Sequence, residues 1–127
     1  MSQSGGLAQG LAWYFLNAWK EVLTRYTVSV RDHEIYMIEM QCVVTGRVQG
    51  VAYRAYAQDA ADELGITGWA KNAPDGTVLI CAQGTPDVLK EFVEYLHEGS
   101  LRAEVEAVAV EWATPREYFT DFSIKHD

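Results

Sequence analysis

Residues 38–54 read Ile-Glu-Met-Gln-Cys-Val-Val-Thr-Gly-Arg-Val-Gln-Gly-Val-Ala-Tyr-Arg. The first eight are apolar and β-branched in the manner of a strand, and Gly46 and Gly50 then interrupt any regular element. Beyond them Tyr53, Tyr56, Ala57, Ala60, Ala61 and Leu64 recur at steps of three and four. Gln58, Asp59, Asp62 and Glu63 fill the other face and Gly65 follows, which predicts an amphipathic helix with a glycine stop. A strand, a glycine loop and a helix in direct succession open a βα unit.

Outward from that unit the pattern repeats with a change of order. Residues 66–71 form a short strand, Asn72-Ala73-Pro74-Asp75-Gly76 has turn chemistry throughout, and residues 77–82 return as a second strand, together a hairpin. Thr85-Pro86 reads as a helix cap with a first-turn proline. Leu89, Phe92, Val93 and Leu96 share one helical face, and Gly99 lies past the end. Ala103 and Val105 hold one phase of alternation while Val108, Val110 and Trp112 hold the other, so a strand with a bulge or kink near Glu106 is expected. Residues 118–125 are a candidate short fifth strand. The order βαββαβ predicts an α+β, ferredoxin-like sandwich, with a four-stranded antiparallel sheet and both helices on one face. That fold hosts many unrelated activities, so function must come from particular residues.

The segment 45–54 is where chemistry concentrates. Glycines permit positive φ, so successive backbone amides can form a concave nest at the start of a helix, where the helix dipole also favours negative charge. Arg54, in the first turn, could add a two-pronged contact to the oxygens of a phosphoryl group. Geometry alone leaves two readings open, an anion cradle or a tight turn with a solvated arginine. Arg47 reads as a structural or exposed cation, Trp69 as core packing, and Asn72 taken alone as a turn residue. His33, His97 and His126 have no Ser or Cys partner in a triad pattern. Cys42 and Cys81 lie in apolar runs without zinc-ligand spacing and are expected to be buried, reduced thiols.

Composition limits the partners. The 127 residues hold ten Lys and Arg against eighteen Asp and Glu. Residues 1–36 carry three of each sign, so the whole net charge of -8 belongs to the remainder. Such a surface repels nucleic acid and anionic lipid. The longest apolar block, residues 11–16, is too short to span a bilayer, and no signal peptide is evident, so a cytoplasmic protein is expected. Residues 1–36 are read as an appendage to a domain over residues 37–127. The appendage holds Leu11, Trp13, Phe15, Trp19 and Leu23, and is either a short amphipathic helix over residues 7–26 or sequence upstream of a true start at Met37 or Met40.

Within residues 40–127, Gly46-Arg47-Val48-Gln49-Gly50-Val51-Ala52-Tyr53-Arg54, then Leu64-Gly65, Gly68-Trp69, Lys71-Asn72 and Asp75-Gly76, resemble the acylphosphatase family. Its signature is a Gly-Arg-Val-Gln-Gly-Val-Gly-Phe-Arg loop followed by the same landmarks. The likeness continues through the helix after Pro86, the strand at Ala103, Val105 and Val108, and the terminal Phe122, Ile124 and Lys125. It implies a metal-free, cofactor-free hydrolase of small acyl phosphates, a monomer for which inorganic phosphate is product and inhibitor. Arg54 falls at the phosphate anchor and Asn72 at the water-positioning residue. The backbone of Gly46, Arg47, Val48, Gln49, Gly50, Val51, Ala52 and Tyr53 falls at the phosphate-binding loop. Ala52 replaces a usual glycine, and positive φ there would cost about 1 kcal/mol or more. Tyr53 replaces a usual Phe, so its buried hydroxyl needs a partner or an exit to solvent. Gly99-Ser100-Leu101 stands where relatives often have Gly-Pro, a change expected to affect only that loop. The alternatives are a catalytically weak anion-binding module, motivated by Ala52 and the aromatic N-terminal segment, and an RNA-binding module, for which the charge is wrong. Retention of Arg54 and Asn72 together favours the enzyme.

Overall fold

The structure, a computed structural model, describes residues 37–126, and the helix expected over residues 7–26 lies outside them. In chain order the elements are β1 (Ile38–Arg47), α1 (Tyr53–Leu64), β2 (Thr67–Asn72), β3 (Val78–Gly84), α2 (Pro86–Glu98), β4 (Glu104–Ala113) and β5 (Phe122–Lys125). The sheet order is β4-β1-β3-β2-β5. Each helix therefore carries the chain across one intervening strand: α1 links β1 to β2 around β3, and α2 links β3 to β4 around β1.

Alternation along the strands decides which face the helices cover. Ile38, Met40, Cys42 and Val44 of β1 and Val78, Ile80 and Ala82 of β3 are buried, as are Tyr53, Ala57, Ala60 and Ala61 of α1 and Leu89, Phe92, Val93 and Leu96 of α2. These side chains form the core between sheet and helices. Phe92 meets Phe122 edge-on with centroids 6.0 Å apart, fastening α2 to β5. Emptying that position would cost about 3–5 kcal/mol by the usual scale of buried aromatic truncation.

The expected bulge is present. Thr45 pairs with Ala107 while Gly46 pairs with Val105, leaving Glu106 as the extra residue of β4. The change of apolar phase between Val105 and Val108 is the trace of that insertion.

The fifth strand is shorter than the candidate over residues 118–125. Strands β1 to β4 pair antiparallel, but β5 covers only Phe122–Lys125 and runs parallel to β2, so the whole sheet is mixed. The reason lies in the strand order, since β4 and β5 occupy opposite edges and residues 114–121 must join them. On the open face the Gln83 side chain donates to the Glu117 carbonyl at 2.7 Å and accepts from the Phe119 amide at 3.2 Å. Its amide nitrogen also donates to buried Glu39 at 2.9 Å. Of these backbone groups, the Phe119 amide belongs to the part of residues 118–125 that does not become strand.

Candidate active site

The loop between β1 and α1 is shaped by backbone requirements. Gly46 sits at the bulge with φ 120°, and a Cβ there would run into the Glu104 carbonyl and the Glu106 amide. No other residue type fits so close an approach. Val48 is buried and anchors the loop in the core. Gly50 has φ 75°, and Ala52 has φ 62° and ψ 28°, the single non-glycine residue with positive φ among the described residues. Positive φ at both positions is compatible with the backbone of an anion nest. Helix α1 then starts with Tyr56 N–H donating to the Ala52 carbonyl at 3.1 Å, without a side-chain cap and without an acidic residue in the first turn. The positive end of the helix is thus met by no side-chain cap and no first-turn carboxylate.

Arg54 lies in that first turn, and one guanidinium nitrogen donates to the Lys125 carbonyl at the end of β5, 3.0 Å away. A guanidinium has five donors, so one anchor fixes its plane and leaves others for a ligand. The Lys125 ammonium is 4.4 Å from the centre of the Trp69 ring. One residue of β5 therefore holds Arg54 through its backbone and packs on Trp69 through its side chain.

Asn72 ends β2 on the face it shares with Gly68 and Ala70, and its Oδ1 is buried without a hydrogen-bond partner. A buried acceptor left unmade costs on the order of 1–3 kcal/mol, so this oxygen has capacity for an added donor. Its neighbourhood is tied to the loop by Gln49, whose side-chain amide donates to the carbonyls of Ala73 at 2.8 Å and Thr77 at 2.9 Å. The hairpin itself is closed by Asp75, which accepts from the Thr77 amide and hydroxyl. Those two bonds, the hydroxyl foremost, hold its carboxyl below the ordinary value.

Two tyrosines fasten α1 to the end of α2. The Tyr53 hydroxyl donates to the Leu96 carbonyl at 2.7 Å and the Tyr56 hydroxyl to the Tyr95 carbonyl at 2.8 Å, serving carbonyls in the last turns of α2. The hydroxyl of Tyr53 thus has its partner, and burial raises its pKa and keeps it neutral. Just past α2, the Ser100 hydroxyl donates to the Val51 carbonyl at 2.9 Å. This corrects the expectation that the change at residue 100 concerns only its own loop, because the bond reaches the loop between β1 and α1.

The other singled-out residues lie apart from this cluster. Arg47 is exposed at the end of β1. Trp69 is half-buried on the open face of the sheet rather than in the core, because β2 places Gly68 and Ala70 toward the helices and the odd-numbered residues away. His97 and His126 are exposed, and His33 lies outside the described residues. Cys42 faces the helices and Cys81 the open face, both as free buried thiols. Burial, followed by the Glu39 carboxylate, pushes the Cys81 pKa up to about 12. Among the described residues no three of His, Cys, Asp and Glu converge to hold a metal ion, and no helix is long and apolar enough to cross a membrane. A cavity of about 710 Å³ lies on the open face between Trp69, Cys81, Arg116 and Phe119, and is lined by none of residues 46–54. Residue patterns did not disclose the side-chain bonds of Gln49 and Ser100. Gln49 stood out only as part of the loop, and its reach to the hairpin depends on three-dimensional proximity.

The acylphosphatase family profile matches residues 40–124. The chain belongs to the acylphosphatase family. An acylphosphatase of Marinobacter nauticus is 49% identical over 84 residues, covering 66% of this chain and 91% of its own length. One from Thermus thermophilus is 49% identical over 76 residues, covering 60% of this chain and 86% of its own. The crystal structure of acylphosphatase from Bacillus subtilis superposes with a TM-score of 0.68 at 38% identity, covering 69% of this chain and 98% of that one. The matched stretch contains residues 46–54 and Asn72.

Proposed function

We propose that this acylphosphatase hydrolyses the carboxyl–phosphate bond of small acyl phosphates, with the amides of residues 46–53 and Arg54 holding the phosphoryl group and Asn72 positioning the attacking water. The observation that carries the reading is the start of α1, which has neither cap nor acidic residue and bears Arg54 in its place. The water oxygen forms the new bond to phosphorus as the bond to the acyl oxygen breaks, and the carboxylate leaves with the electron pair. The water's proton passes to solvent or to the phosphate product. Charge spreading over the equatorial oxygens is met by donors already in place, so the transition state gains more than the ground state. Asn72 is neutral and a poor base. Its unpaired Oδ1 can accept from a water and orient it, and the carboxylate leaving group needs little protonation.

Guanidinium and amides supply the positive potential, so the reaction proceeds without a metal or cofactor and chelators leave it unchanged. Inorganic phosphate, as product, competes for the cradle. One chain supplies every group, which supports action as a monomer, and the two free thiols suit the reducing cytoplasm. Residues 37–127 are the catalytic domain and residues 1–36 its appendage.

The test is Asn72→Ala. Phosphate inhibition should stay near wild type while kcat on an aromatic acyl phosphate falls about a hundredfold or more, the scale of a lost transition-state donor. Wild-type turnover in the folded variant would remove Asn72 from the mechanism. A wild-type chain that binds phosphate but hydrolyses nothing would establish the binding-module alternative.

A further inference from the structure

We propose that Ser100 is a positioning residue, whose hydroxyl on the Val51 carbonyl holds Ala52 in its left-handed conformation and thereby aims the amides at the start of α1. The inference rests on the reading of residues 46–53 as the phosphoryl cradle. Ala52 is exposed, so no packing of its methyl group keeps it at φ 62°. Strain of this kind persists only where the surroundings over-determine the backbone.

Both peptide planes that flank Ala52 are tied. The Val51 carbonyl belongs to the plane joining Val51 to Ala52, and rotation about the Ala52 N–Cα bond swings that oxygen. The Ser100 hydroxyl, at 2.9 Å, fixes it. On the other side the Ala52 carbonyl accepts from Tyr56 N–H at 3.1 Å, while Tyr53 is buried and its hydroxyl is bound to the Leu96 carbonyl at 2.7 Å. Ser100 is itself held, because its carbonyl accepts from Ala103 N–H at 3.0 Å directly after Gly99 closes α2. The anchors of the Val51 carbonyl before the strained residue and of the Tyr53 side chain after it therefore come from one place, the end of α2 and the turn behind it.

Calorimetric titration with inorganic phosphate tests the assignment on full-length chains. Ser100→Ala should weaken phosphate binding about fivefold, the worth of one ordinary hydrogen bond. Ser100→Thr, which keeps the hydroxyl, should restore affinity. In an Ala52→Gly background, where left-handed backbone carries no strain, the same Ser100→Ala change should cost less than about twofold, outside simple additivity. Equal losses in both backgrounds, or no loss in either, would overturn the proposal. Arg54→Ala is the reference: if it binds phosphate normally, the cradle reading itself fails. If it loses phosphate while Ser100→Ala does not, only the role of Ser100 fails.

Discussion

The two helices, 12 and 13 residues long, lie on the same face of the sheet and begin in opposite ways. Helix α2 leaves an extended residue, Thr85 at φ -72°, enters through Pro86 and places Asp87 at its second position, where a carboxylate suits the positive end of the dipole. Thr85 itself makes no side-chain cap bond, so proline and charge do the starting. Helix α1 leaves a strained alanine, has no acid in its first turn, and carries Arg54 at the second position, where a cation opposes the dipole. By the criteria of stability α1 starts badly, and under the proposed function each departure becomes favourable when a phosphoryl group binds there. Helix α2 completes its own start, whereas α1 has neither cap nor acid at its start.

Substitutions can break that contrast. The largest effect is expected from Arg54→Ala, which should lower kcat/KM by about a thousandfold or more, as for other arginines that neutralise a transferring phosphoryl group. Arg54→Lys should fail too, because a point charge lacks the planar fork. Normal steady-state kinetics in either folded variant would dissociate α1 from catalysis. Ala55→Asp would give α1 the acidic first turn that α2 has. With a negative charge beside the cradle, kcat/KM should drop roughly tenfold, and an unchanged rate would mean that the field at the helix end is irrelevant.

Smaller effects should appear in stability. Ala52→Gly relieves the left-handed strain and should stabilise the chain by about 0.5–1 kcal/mol after allowance for glycine's extra freedom when unfolded. Urea denaturation reads this, and a loss of stability would show that Ala52 is not strained. On α2, Asp87→Ala should cost only about 0.3–1 kcal/mol and leave kcat/KM at wild type. A catalytic defect there would show the two helix starts to be less separate than they look.

Much of the contrast was legible in residue order. Helix periodicity fixed both helices, the change of phase between Val105 and Val108 located the bulge at Glu106, and glycine spacing marked the loop. Family likeness pointed to Ala52 as the position of strain, and the backbone there is left-handed. Other features were not legible because they join residues distant in the chain. The Gln49 amide spans 24 and 28 positions to Ala73 and Thr77, and Arg54 reaches 71 positions to Lys125. No periodicity encodes such contacts. Trp69 was misplaced because a large aromatic in a strand suits either face, and only the buried Gly68 and Ala70 beside it settle which. The parallel pairing of β5 follows from the path of residues 114–121, which hydrophobic pattern alone could not trace.

The bulge at Glu106 has a meaning beyond the shape of the cradle. Strand β4 is an edge of the sheet, and an edge of ten residues offers a row of backbone groups to which another chain could add a strand. Glu104, Glu106 and Glu111 are all exposed along it, and the bulge interrupts its regular spacing. Mutual repulsion and broken register make that border a poor template for aggregation. The opposite border, β5, is only four residues long. The acidity of this small protein therefore acts in part as a guard on its own sheet, while the guanidinium proposed to hold the phosphoryl group stands away from that border, in the first turn of α1.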